Sequence, residues 1–184
     1  PIYDFVSGKP RYNAGDVIKL DKKDVLIIEG IHALNPKILS DISRKKKYKI
    51  YISPLTCLNL DDQNRISTSD NRLLRRIIRD NRHRGNDVNY SLKKWASVRL
   101  GEEKNIFPFQ DEADVIFNSS LIYEIGVLKT YVEPLLYSVD MDSPYYEEAK
   151  RLINMLKMFL PIPSDDIPKD SILREFIGGG CFRQ

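Results

Sequence analysis

DVLIIEGIHALNPKILSDISRKKKYKIYIS, residues 24–53, sets the fold class of this chain. It opens on an unbroken apolar run, DVLIIEG at 24–30, which closes in Glu29 and Gly30, the pattern of a parallel strand buried on both faces. Asn35 can then cap a helix over 36–42, with Pro36 in the first turn, where its missing N–H is not needed. YKIYIS at 48–53 reads as a second strand, and the RKKK run at 44–47 before it as a solvated loop. Strand, helix and strand in succession form a βαβ unit, so the expected class is α/β with a parallel sheet. ADVIFN at 113–118 reads as a third strand of that sheet.

Between the last two strands the period changes. In RLLRRIIRDNRHRG, residues 72–85, Leu73 with Ile77 and Leu74 with Ile78 stand four apart and form one apolar stripe. Arg72, Arg75, Arg76 and Arg79 occupy the adjoining faces, and Gly85 ends the helix. A further helix is expected around 92–98, carrying Trp95. Leu121, Ile125, Leu128, Val132 and Leu135 keep helical spacing until Pro134 kinks or ends the segment. Ala149, Leu152, Ile153, Leu156, Phe159 and Leu160 form a wide stripe suited to a core or a partner helix. After a proline-rich connection at 161–168, Asp170 or Ser171 can cap a last short helix reaching Ile177.

The 184 residues amount to one ordinary domain. With 42% hydrophobic and 30% charged residues, the composition excludes disorder and collagen-like repeats. No apolar run approaches the roughly 20 residues that span a bilayer, and no basic segment leads into a signal-type stretch, so neither membrane nor secretion is expected. Cys57 and Cys181 stand outside any CxxC spacing, which suits a reducing compartment; the expected location is cytoplasmic. A strand-like phrase begins at once from Pro1, as in a piece of a longer protein. The 29 basic residues nearly balance 26 acidic ones, but seven of the 13 arginines fall within 65–84, among only two acids, Asp70 and Asp80.

Three groups could carry chemistry. Glu29, at the carboxyl end of its expected strand, could hold Mg2+ or polarise a nucleophile, or could only cap a neighbouring helix. Tyr3, Asp4 and Phe5, with Arg11 six residues on, could bind a sugar and stack on a base, or could form a plain Asx turn. The arginine helix could clamp a polyphosphate, follow the phosphate backbone of RNA, or form a solvated face. His83, between Arg82 and Arg84, is assigned no catalytic role.

Together and in this order, these phrases resemble the uridine kinase and phosphoribulokinase family of P-loop kinases. YDF with Arg11 looks like its substrate loop, DVLIIEGIHAL like its EGI-type strand, and DNRLLRRIIRDNRHRG like its lid helix, the most specific of the three. GEEK at 101–104, PFQ at 108–110 and ADVIFNSSLIYE at 113–124 are similar to a subgroup in which the kinase follows aminoacyl-tRNA-synthetase-like domains.

The resemblance implies a partial P-loop NTPase fold. An α/β domain would cover 1–140, with an arginine-rich lid over about 65–105, and a helical extension would cover 141–184. It implies a kinase that moves a phosphoryl group from ATP, with Mg2+, to a nucleoside or similar hydroxyl compound. In that picture Tyr3, Asp4, Arg11 and Arg72 meet the substrate, and Arg76, Arg79 and Arg84 face the ATP phosphates. Glu29 serves the metal, and Asp4, Glu29 and Arg76 are the catalytic set. The P-loop segment is expected upstream in the same protein, because none of the nine glycines here begins a GxxxxGK[ST]. The isolated chain is therefore expected to be inactive. Gly8-Lys9 stands where uridine kinases carry a His, and Tyr90 replaces a lid glutamine, two departures that bear on the acceptor. Rival readings are an RNA-binding module and a catalytically dead domain that forms a homodimer through the Leu152 to Leu160 stripe.

Overall fold

Ser67 starts the arginine-rich helix by accepting the Ser69 N–H on its side chain at 3.1 Å, so one of the free donors at the helix start is satisfied. The helix, α1, spans Thr68–Arg84 and ends where Gly85 takes the left-handed conformation at φ 63°. The structure is a computed structural model that describes residues 2–4, 9–12, 15 and 17–182, the side chains of Tyr3 and Asp4 apart. The chain divides into two units, Pro1–Ala33 and Leu34–Gln184.

In the first unit β1 (Ile2–Asp4) pairs antiparallel with β2 (Lys9–Arg11), Ile2 opposite Arg11. Residues 24–30 do not form the expected buried strand: Val25 and Ile27 are 87% and 89% exposed, and the segment joins no ladder among the described residues. An apolar run becomes a strand only where neighbours take up its N–H and C=O groups, and here β1 and β2 pair with each other.

In the second unit the helix expected over 36–42 is instead a succession of turns, with Ile38 N bound to the Asn35 carbonyl and Ile42 N to that of Leu39. So short a stretch forms too few helical bonds to offset nucleation, and two lysine side chains bind carbonyls in and beside it. Lys49 Nζ donates to Leu34 O at 3.3 Å and Lys47 Nζ to Leu39 O at 2.5 Å. Arg44, expected in a solvated loop, lies in a 3-10 turn, Arg44–Lys46, and pairs with Asp114 at 2.5 Å. Asp114 also accepts the Lys49 N–H at 2.7 Å, so one carboxylate joins the starts of two strands.

Those strands are β3 (Ile50–Ser53) and β4 (Val115–Asn118), parallel and in register from Ile50 opposite Val115 to Ser53 opposite Asn118. A parallel pair needs a long crossover, and here it consists of α1 and α2 (Val88–Asn105) followed by a 3-10 segment, Phe107–Glu112. The chain is thus α/β with a small parallel sheet, although both strands leave apolar side chains such as Ile52 and Phe117 exposed.

The core lies among the helices. Leu73, Leu74 and Ile77 of α1 pack with Ile125, Leu128 and Val132 of α3 (Glu124–Tyr137), and with Leu152 and Leu156 of α4 (Tyr146–Leu156). Leu173, Phe176 and Ile177, in or next to α5 (Arg174–Ile177), close it. Pro134 falls in the last turn of α3, which ends three residues later. The Leu152 to Leu160 stripe is divided: Leu152 and Leu156 are buried inside this chain, whereas Leu160 is exposed. The buried half is therefore core and not an open dimer face. Among the described residues no helix is long and apolar enough to cross a membrane.

Candidate functional site

Burying Leu73, Leu74, Ile77 and Ile78 fixes the rotation of α1 and with it the direction of every arginine on the helix. Arg82 apart, the arginines of α1 sort into three groups, each gathered by one buried acid.

The first acid is Asp80, fully buried although it lies in the most cationic stretch of the chain. Arg84 NH1 donates to Asp80 Oδ1 at 2.9 Å. Arg76 Nε lies 3.1 Å from Oδ2, and Arg79 Nε lies 3.7 Å from Oδ1. Arg76 and Arg84 stand four residues before and after Asp80, one turn away on either side. Arg76 Nε, Arg79 Nε and Asp80 Oδ2 are buried without an aligned hydrogen bond. One buried negative charge faces three positive ones, and Glu175 stands 4.0 Å from Arg79 NH1, so the cluster still keeps a cationic excess. The three side chains remain 19%, 33% and 54% exposed in the order 76, 79, 84, which leaves them open to an anion from solvent.

The second acid is Glu102 of α2. Arg72 NH1 reaches it at 2.5 Å, and Arg99 NH1 stands 3.7 Å from its other oxygen. Both carboxylate oxygens are buried without an aligned hydrogen bond, so the two guanidinium groups hold their charge against Glu102 at the wall of a cavity. This cavity, about 270 Å3, lies beside Ser53 at the carboxyl end of β3 and is lined also by Tyr51, Thr68, Phe107 and Gln110. The carboxyl end of a parallel strand is where open α/β sheets place ligands. Phe107 offers an aromatic wall, with the Arg99 guanidinium 5.8 Å from its ring centre.

The third acid, Glu124, is structural. It is fully buried at the start of α3, where the helix dipole favours a negative charge, and it accepts from both Nε and NH2 of Arg75. Arg75 NH2 also reaches the Ser119 carbonyl just beyond β4, at 3.3 Å. At the far end of α1, Arg82 donates to the Ile177 carbonyl at 2.9 Å. His83 Nε2 lies 3.1 Å from the Glu175 carbonyl, which can only accept, so Nε2 carries the proton there.

The expected site residues therefore fall into two sets. Arg72 stands at the cavity, and Arg76, Arg79 and Arg84 meet at Asp80. Glu29 and Arg11 are exposed in the first unit. The side chains of Tyr3 and Asp4 lie outside the described residues, as does Phe5. Among the described residues no group of three or more His, Cys, Asp or Glu stands together to hold a metal. Asp80, Glu102 and Arg99 are not among the residues the sequence singles out for a site. The spacing of Asp80 from Arg76 and Arg84 was a usable signal, whereas nothing local marks Glu102, thirty residues from Arg72 and on another helix.

A model of the phosphoribulokinase / uridine kinase family matches residues 1–125. The uridine kinase of Bacillus pumilus (strain SAFR-032) is 31% identical over 117 residues, 63% of this chain and 47% of that protein. The uridine kinase of Staphylococcus aureus (strain JH9) is 30% identical over 140 residues, 74% of this chain and 58% of that protein. The chain thus spans about half the length of the curated relatives it matches. No solved structure matches.

Proposed function

Because the chain belongs to the phosphoribulokinase / uridine kinase family, we propose that it forms the lid and acceptor side of an ATP-dependent kinase acting on a nucleoside or similar hydroxyl compound. The observation that carries this reading is the meeting of Arg76, Arg79 and Arg84 on one buried carboxylate, which leaves a compact surplus of positive charge. Such a grip suits a polyphosphate, whose charge is dense and local.

In this reading ATP, when bound, supplies the phosphoryl group. Arg76, Arg79 and Arg84 hold its phosphates and offset the charge that spreads over the phosphoryl oxygens in the transition state. Arg72 orients the acceptor at the cavity beside Ser53. Tyr3, Asp4 and Arg11 are taken as substrate contacts on the family resemblance alone. Glu29 serves as the carboxylate for Mg2+, which in phosphate sites takes only one or two protein carboxylates. With no GxxxxGK[ST] in its 184 residues, the chain alone turns over negligibly. The P-loop is supplied by an upstream segment of the same protein, which works in the cytoplasm.

The RNA-binding reading is disfavoured by the same geometry, because the arginines converge on acids of their own chain and are not splayed along a backbone. Hydrogen exchange along α1 separates the two. Protection of residues 76–85 by millimolar ATP, with little effect of RNA, supports the kinase. Protection by RNA that weakens steeply with salt, with none by ATP, would favour the module.

A further inference from the structure

Among the described residues, Asp80 is the one acid within contact distance of Arg76, Arg79 and Arg84 together, and it is held from two sides. Its carbonyl accepts the N–H groups of Gly85 and Asn86, so the backbone at the end of α1 is tied to the same residue whose side chain gathers the arginines. Three guanidinium groups packed within one turn on either side repel one another, and each has a long side chain with many rotamers to lose. A buried carboxylate between them offsets both effects and, even with Glu175 4.0 Å from Arg79, leaves the group cationic.

We propose that Asp80 is a positioning residue: it fixes Arg76, Arg79 and Arg84 as a single three-pronged grip for a polyphosphate before the ligand arrives. The proposal rests on the reading of those arginines as a phosphate grip. It makes a prediction whose sign simple electrostatics would reverse. Removing a negative charge from a cationic site should tighten anion binding if charge alone mattered. If Asp80 positions the arginines, Asp80→Asn weakens binding although the site becomes more positive.

The test uses the 184-residue chain with inorganic tripolyphosphate as the probe. Calorimetry is paired with NMR of the arginine Nε–H groups and with the melting temperature. Asp80→Asn is expected to lower tripolyphosphate affinity about tenfold or more, as loss of charge-assisted contacts would. It should also release the Nε–H signals of Arg76 and Arg79 to fast exchange, and Asp80→Glu should restore part of both. Asp80→Asn binding tripolyphosphate as tightly as the parent or tighter, or keeping the arginine signals unchanged, would overturn the proposal. If Asp80→Asn does not fold, the parent protein decides. Slower Nε–H exchange at Arg76 and Arg79 than at exposed Arg65 supports the proposal, and equal rates overturn it. If the parent fails to bind tripolyphosphate while Asp80→Asn still frees the arginine signals, the phosphate grip is refuted and the positioning by Asp80 is upheld.

Discussion

Arg75 and Glu124, 49 residues apart in sequence, form a buried two-point ion pair that ties α1 to the start of α3. The Arg75 guanidinium also lies 5.2 Å from the Phe176 ring centre, so one side chain joins the arginine helix to α3, the end of β4 and the C-terminal segment. Removing one partner of such a pair leaves the other charge buried and uncompensated. Glu124→Ala is expected to destabilise the chain by about 3–5 kcal/mol in urea unfolding. A cost below about 1 kcal/mol would show that Arg75 finds water or another acceptor.

Gly126, in the first turn of α3, fits closely under the segment that follows α4. A Cβ there would stand 2.8 Å from Ile162 Cδ1 and 2.9 Å from the Leu160 carbonyl, and Ile162 N already donates to the Gly126 carbonyl at 3.0 Å. Backbone cannot yield as a flexible side chain can. Gly126→Ala should therefore cost about 1–3 kcal/mol despite the better helix propensity of alanine. A melting temperature at or above that of the parent would contradict this packing.

Asp114 makes the joint between β3 and β4 sensitive to acid. The hydrogen bond from Arg44, then that from the Lys49 N–H, hold its carboxyl below the ordinary carboxylate value. A lowered folded pKa means that the stabilisation is complete above the unfolded value, near 4, and is lost as pH falls through the folded value. Amide exchange at Lys49 should thus be constant from neutral pH down to about 4, after correction for intrinsic rates, and rise below it. In Asp114→Asn that acid step should be missing. An unchanged step in the variant would assign it to another carboxylate.

How far these features could be read from the chain depends on where the deciding contacts lie. The arginine helix, its Gly85 stop and β3 and β4 were legible because each is specified within its own stretch. Residues 24–30 and 36–42 depart from what their local pattern suggests for different reasons. A strand at 24–30 needs a distant neighbour for its backbone groups. The seven residues 36–42 are too short to offset helix nucleation, and they close in turns bonded three residues apart instead. At the site, the arginines were visible by type and spacing. Their pairing with Glu102 and Glu124 was not, because those acids come from other helices. Asp80 stands out in the sequence only as a rare acid among arginines.

Phosphoryl transfer by the protein expressed from its whole reading frame is the most direct measure of the account. With ATP and Mg2+ against a panel of nucleosides, the parent should phosphorylate at least one. Arg76→Ala should lower kcat/KM for that acceptor about a hundredfold or more, consistent with the loss of a preorganised charge on the transferring group. Failure to phosphorylate any nucleoside or related hydroxyl compound, or an Arg76→Ala variant as active as the parent, would contradict it.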